Sequence, residues 1–226
     1  PKHMEKLGGW EKDNDYVEYR LDVPETAPEK YTKIAEMVEK RYNLHARKLT
    51  KKEIFEGGYG KKLFDLINVT YSHLYGFSEL SERQIDQYVK MYFPLADLDL
   101  ITVVEDGNKD NQLVGLAITI PSLTRALQKC HRGRLFPFGW WHLLRAIKFH
   151  KTEVVDLLLI GVLPEYRSKG ANSLVFADLI PRYVKYGFKW GETHVEMETN
   201  ESVQSQWGPL DPTMHKKRRC YRKAIG

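Results

Sequence analysis

The sequence predicts an α/β fold, and three observations carry that assignment. The run from Val154 to Val162 is almost wholly apolar and rich in Leu and β-branched residues, as a buried central strand requires. Pro164 ends the run, a short loop follows, and Leu174 to Val184 is apolar over a helical length. Elsewhere, stretches with the apolar period of a helix alternate with stretches patterned as strands, which is how helices packed on a sheet read.

Composition narrows the class further. The 226 residues suffice for one large domain, or one domain with an appendage. A content of 42% hydrophobic and 12% aromatic residues excludes general disorder. Cys130 and Cys220 supply neither a disulfide framework nor a metal set, so a reducing, cytoplasmic setting and no metal are expected. No apolar run is long enough to span a bilayer and no signal-peptide pattern is present, so no membrane partner is expected. The net charge of +5 suits an anionic small molecule as well as nucleic acid. The chain begins at Pro1 rather than Met, which reads as a fragment or a processed product.

Taken in order, Asp15 to Leu21 alternates as a strand, and Pro24 to Pro28 is a linker by composition. Lys30 to Tyr42 reads as a helix with Ile34, Met37 and Val38 on one face, and His45 to Leu49 as a short strand. Lys51 to Gly76 is helical with a break at Gly57, Gly58 and Gly60. Leu63, Phe64, Ile67, Tyr71 and Leu74 mark its apolar face. Ser81 caps a helix whose Ile85, Tyr88, Val89, Tyr92 and Phe93 recur at core spacing. Leu98 to Glu105 and Gln112 to Ile120 form a hairpin across a turn-rich Asp106 to Asn111.

Pro121 to Lys151 is an insertion predicted to hold two short helices. Its Phe136, Phe138, Trp140 and Trp141 read as a substrate pocket wall, core packing or a subunit interface. Pro181 should bend the helix that follows the central strand. Thr193 to Asn200 reads as a strand with His194, Glu196, Glu198 and Asn200 on one face. A short helix or loop around Val203 to Trp207 and a basic strand from His215 to Ile225 close the chain.

The central strand, its basic loop and the next helix form a candidate anion site. The first N–H groups of a helix lack internal partners and its dipole is positive there. Gly170 allows close approach of the backbone, while Arg167 and Lys169 add charge. The alternative is an ordinary strand–helix connection with two solvated cations.

Val162-x-Pro164-x-x-Arg167-x-x-Gly170 resembles the acyl-CoA loop of the GCN5-related N-acetyltransferases (GNAT). The pattern departs at Asn172, where that family has Gly or Ala. The element order over about residues 44–225 is also similar to the family, as is Asn200 before a short helix and an Arg-x-Tyr strand. The resemblance implies a mixed, mostly antiparallel central sheet with flanking helices, and acetyl-CoA or another acyl-CoA as co-substrate. Ile160, Gly161 and Val162 would hold the pantetheine by backbone hydrogen bonds; Arg167, Ser168, Lys169, Gly170, Ala171 and Asn172 would hold the pyrophosphate, with Asn200 nearby.

The resemblance also divides the chain. Residues 29–226 would be the acyltransferase domain, with the aromatic insertion at 121–151. Residues 1–28 would be a strand and linker, either the end of a preceding GNAT-like unit in a longer bacterial protein or an edge strand of this domain.

Acyl transfer to an amine needs a neutral amine, a stabilised oxyanion and a proton for the departing thiolate. Glu196 and Glu198 are the candidate bases, or else a solvated face or partners for the Arg-rich tail. Tyr221 is placed like the family's proton donor, or packs against the sheet. The basic run Lys216 to Arg219 lies in a strand and so cannot present one nucleic-acid-binding patch. The expected function is an acyl-CoA-dependent N-acyltransferase attacking directly with a small-molecule or peptide amine; the alternative is a CoA-binding regulatory domain without turnover. A homodimer is compatible with either.

Overall fold

A computed structural model describes residues 2–224. Ile225, the last residue of the expected closing strand, lies outside the described residues. The chain opens with α1 (Lys2–Leu7), β1 (Glu11–Asp22), α2 (Glu29–Tyr42) and β2 (Leu44–Arg47). Three helices follow: α3 (Lys51–Phe55), α4 (Tyr59–Tyr71) and α5 (Glu82–Tyr92). The hairpin is β3 (Ile101–Asp106) and β4 (Gln112–Pro121), and the insertion holds α6 (Thr124–Gln128) and α7 (Gly139–Phe149). Then come β5 (Val154–Val162), α8 (Pro164–Arg167), α9 (Ala171–Tyr186), β6 (Trp190–Thr193), β7 (Glu196–Met197), α10 (Glu201–Gln204) and β8 (Thr213–Arg222).

Local chemistry sets most of these boundaries. Thr50 and Ser81 cap α3 and α5 through full capping boxes with Glu53 and Gln84, each contributing about 1 kcal/mol. Gly58, at φ 75°, starts α4 after the Gly57–Gly58 break. Pro164 sets the first turn of α8, so the expected loop from Pro164 to Gly170 is a short helical turn. α9 runs through Pro181 as one helix.

One eight-stranded sheet organises the domain, in the order β2-β3-β4-β5-β6-β1-β7, with β8 also on β1. Among the described residues only β5 and β6 are parallel; every other pairing is antiparallel. α2 and α9 cover one face over Leu21, Val155, Leu174 and Leu179, and α4 and α5 cover the other over Leu63, Ile67, Ile85 and Leu116.

β1 is not at the edge of this sheet. It lies between β6 on one side and β8 on the other. Asp15 on β1 is buried and takes a two-pronged bond from Arg219 at 2.7 and 2.9 Å, which holds its carboxyl far below the usual range. The basic run splits as strand alternation demands. Lys216 and Arg218 pair with Glu18, while Lys217 and Arg219 pair with Asp15.

Candidate active site

A cleft of about 580 Å³ opens where two central strands part. β5 and β6 pair from Val154 opposite Trp190 to Leu157 opposite Thr193 and then separate. β6 stops there; the chain stays on β1, which β6 already pairs, and leaves β5 unpaired, resuming as β7 with Glu196 opposite Val17. The expected single strand from Thr193 to Asn200 is therefore broken at His194 and Val195. A register shift on β5 sets Leu159 against Ile118 but Leu157 against Thr119, so Leu158 bulges at the point of separation.

Beyond that bulge the β6-side edge of β5 is open. The Tyr71 hydroxyl, from the end of α4, bridges it: it donates to the Ile160 carbonyl at 3.0 Å and accepts from the Ile160 N–H at 3.2 Å. Arg167 Nε donates to the Val162 carbonyl at 3.0 Å. Gly161 is required here, because a Cβ would lie 2.7 Å from Thr70 Oγ1. On the other wall, Asn172, Phe176, Leu179 and Tyr183 form one stripe of α9.

The splayed parallel pair, the bulged strand and the helix that starts at its mouth can be compared with known proteins. No protein-family model matches the chain. The GNAT structure from Sphaerobacter thermophilus superposes with a TM-score of 0.61 at 10% identity, covering 98% of this chain and 55% of that one. A GCN5-related glucosamine N-acetyltransferase region of a fungal multi-domain GH3 β-N-acetylglucosaminidase gives 0.59 at 12% identity, covering 97% of this chain and 22% of that one. The chain has the GNAT fold. Among curated sequences, "Bacterial ceramide synthase" of Caulobacter vibrioides is 23% identical over 175 residues, covering 72% of this chain. The chain spans 42% of the length of the curated relatives it matches.

Within this GNAT fold the expected residues fall into two groups. Ile160, Gly161, Val162, Arg167, Asn172, Asn200 and Glu196 all line the cleft. Ser168, Lys169, Gly170 and Ala171 form the connection into α9 without lining it. Lys169 Nζ sits 4.1 Å from the Tyr166 ring centroid, over its face. Gly170 has φ +83° and packs so near α2 that a Cβ would meet Ile34 at 2.9 Å, and Ala171 is buried.

The two carboxylates have different surroundings. Glu196 is half-buried, and Trp207 Nε1 donates to both its oxygens at 3.1 and 3.2 Å. Burial raises its pKa above the ordinary carboxylate value, against the lowering effect of Trp207. Glu198 lies outside the cleft between Lys217 and Lys12, whose bonds lower its pKa.

Tyr221 sits on β8 opposite Lys12 and does not line the cleft, so the geometry lends no support to the acid role expected of it. Phe136, Phe138, Trp140 and Trp141 are exposed on the insertion, and none lines the cleft as a pocket wall would.

Tyr71 is the main cleft residue that sequence reading missed. It continues the apolar stripe of α4, and its spacing is that of an ordinary core aromatic. Burial raises its hydroxyl pKa, and the nearby Glu196 charge adds to the rise. Tyr71 and Glu196 thus both face the cleft, each with its own hydrogen-bond partner.

Proposed function

We propose that this protein is an acyl-CoA-dependent N-acyltransferase that moves an acyl group from a thioester to an amine. One observation carries the reading: a half-buried carboxylate of raised pKa, Glu196, faces the same cleft as the open edge of β5. The cleft residues fit an acyl-CoA. Ile160 presents its N–H and carbonyl to the open edge, where only a side-chain hydroxyl meets them. Gly161 keeps that edge narrow. The start of α9 offers first-turn N–H donors beside Asn172, suited to phosphate.

When bound, the thioester supplies the acyl group. The chain's own residues do the rest. The edge of β5 at Ile160 to Val162 would hold an amide-bearing arm as an added strand would be held. Glu196, kept basic by burial, would take the proton of the incoming ammonium, directly or through water. Tyr71 must leave Ile160 before anything else bonds there, and its hydroxyl is then free to donate a proton within the cleft. The curated relative named for ceramide, an N-acylated amine, agrees with amide formation.

Calorimetry with CoA and acetyl-CoA, followed by a thiol-release screen across amines and longer acyl-CoAs, tests the proposal. Micromolar CoA binding with amine-dependent thiol release is expected. No CoA binding would overturn it; binding without release from any amine would favour the regulatory alternative.

A further inference from the structure

The insertion leaves most of its large apolar groups in solvent. Phe136 is 76% exposed and Phe138 71%, and Leu127, Leu135, Trp140, Trp141, Leu144 and Phe149 are exposed as well. α7 shows how this is arranged. Leu143, Ala146, Ile147 and His150 recur at i, i+3, i+4 and i+7 and are buried or half-buried, so this stripe faces the domain. Trp141, Leu144, Arg145 and Lys148 recur at the same spacing, and all four are exposed. A helix facing only water would carry polar residues there. This one carries Trp and Leu beside two cations.

The charge of the segment is one-sided. From Pro121 to Thr152 there are seven Lys or Arg residues and no Asp or Glu. Among the described residues, only Arg125 of the seven makes an ion pair, with Glu153 at 3.8 Å. A hollow of about 430 Å³ beside α6 and α7 is lined by Arg125, Lys129, His142, Arg145, His150 and Lys151, with Glu153 as its one acid. Exposed aromatics next to unpaired cations match an interfacial element, whose rings enter the headgroup boundary while its cations meet anionic headgroups. A second copy of the same face would bring seven cations against seven, which works against a symmetric dimer. Nucleic acid would use the cations but not the aliphatic Leu135 and Leu144.

We propose that residues 121–151 dock this protein on the surface of an anionic phospholipid bilayer, with Phe136 and Phe138 inserting and the α6–α7 hollow receiving a lipid phosphate. This revises the sequence-level expectation of no membrane partner; it concerns lying on a bilayer, not crossing one, and no helix among the described residues is long and apolar enough to cross.

Flotation of the full chain with vesicles of phosphatidylcholine alone, and of phosphatidylcholine mixed with phosphatidylglycerol, tests the proposal. Binding to the anionic vesicles only, weakened by salt, is expected. R145E/K148E should weaken it roughly 30-fold, at about fivefold per cation removed. F136S/F138S should weaken it at least about tenfold with an unchanged thermal midpoint, since both rings are exposed. No binding to either vesicle, equal binding to both, tighter binding to duplex DNA than to anionic vesicles, or wild-type binding by both variants would each overturn it.

Discussion

The cleft and the insertion treat aromatic and charged residues in opposite ways. In the cleft, Phe176, Tyr183 and Trp207 are buried, and Glu196 is drawn among apolar walls with Trp207 as its hydrogen-bond donor. In the insertion, Phe136 and Phe138 stand in solvent, and among the described residues every Lys and Arg of the segment except Arg125 lacks an acidic partner. The first region uses burial to change the chemistry of one group. The second keeps apolar area and charge unspent on the fold. Residue type alone therefore does not tell a pocket wall from a docking surface; the neighbours on the other side of each ring do.

Phe176→Ala breaks the comparison on the cleft side most severely. Its ring packs 4.9 Å from Tyr31 and 5.8 Å from Trp207, centroid to centroid, and is nearly inaccessible. Truncation should cost about 3–5 kcal/mol, read as a lowered urea midpoint with an unchanged slope. A loss below about 1 kcal/mol would mean that this wall of the cleft is loosely packed.

Glu196→Gln comes next and separates the two carboxylates. The rate of amine-dependent thiol release should fall roughly 10²- to 10³-fold, the range for one positioned base, whereas Glu198→Gln should change it little. The pH dependence has a defined sign. Burial raises the Glu196 pKa, so the ionised form that accepts a proton appears at a higher pH than for an ordinary carboxylate. The acid limb of the rate profile should lie there and vanish in the Gln variant. A folded pKa above the unfolded one also means that this group's contribution to stability is present at low pH and lost as pH rises through the folded value. Glu196→Gln should therefore be at least as stable as wild type near neutrality, checked by thermal melts at two pH values.

Much of the fold was legible in the sequence because its signals are local. The nearly unbroken apolar run of β5, the Ser81 capping box and the turn chemistry after Asp106 each specify their element within a few positions. The cleft was only half legible. Ile160 to Val162 and Glu196 follow from the strand and its neighbour, but Tyr71 reaches Ile160 across 89 positions, and nothing near Tyr71 marks it apart from Ile67 or Leu74. Alternation placed Glu196 and Glu198 on one face but not the break at His194, and so not their separation into cleft and surface. The central position of β1 was equally hidden, since a strand's neighbours in a sheet are not written in its own pattern.

Tyr71→Phe sharpens the comparison at the cleft edge with a smaller effect. The variant keeps the ring but removes the hydroxyl that bonds both backbone groups of Ile160. Water can take over both groups at this open edge, so the net loss for the two bonds is about 0.5–1.5 kcal/mol, with two consequences. The free protein should lose roughly that much stability, and CoA should bind about 3- to 10-fold more tightly, because its arm no longer competes with the hydroxyl. Calorimetry showing weaker CoA binding would mean that the hydroxyl assists the ligand instead.

Phe138→Ser has the smallest expected effect on folding and the most direct bearing on what the insertion is for. The ring is 71% exposed, so its loss removes little packing. Surface changes of this kind stay within about ±0.5 kcal/mol, or less than about 2 °C in the thermal midpoint for a chain of this size. The same ring entering a bilayer boundary would contribute about 1.5 kcal/mol or more, roughly tenfold in vesicle affinity. Thiol release in the absence of lipid should be unchanged, because Phe138 does not line the cleft. A drop of several degrees in the midpoint would show that the insertion packs against the domain through this ring, and the contrast between a buried cleft and an exposed docking surface would fail at this residue.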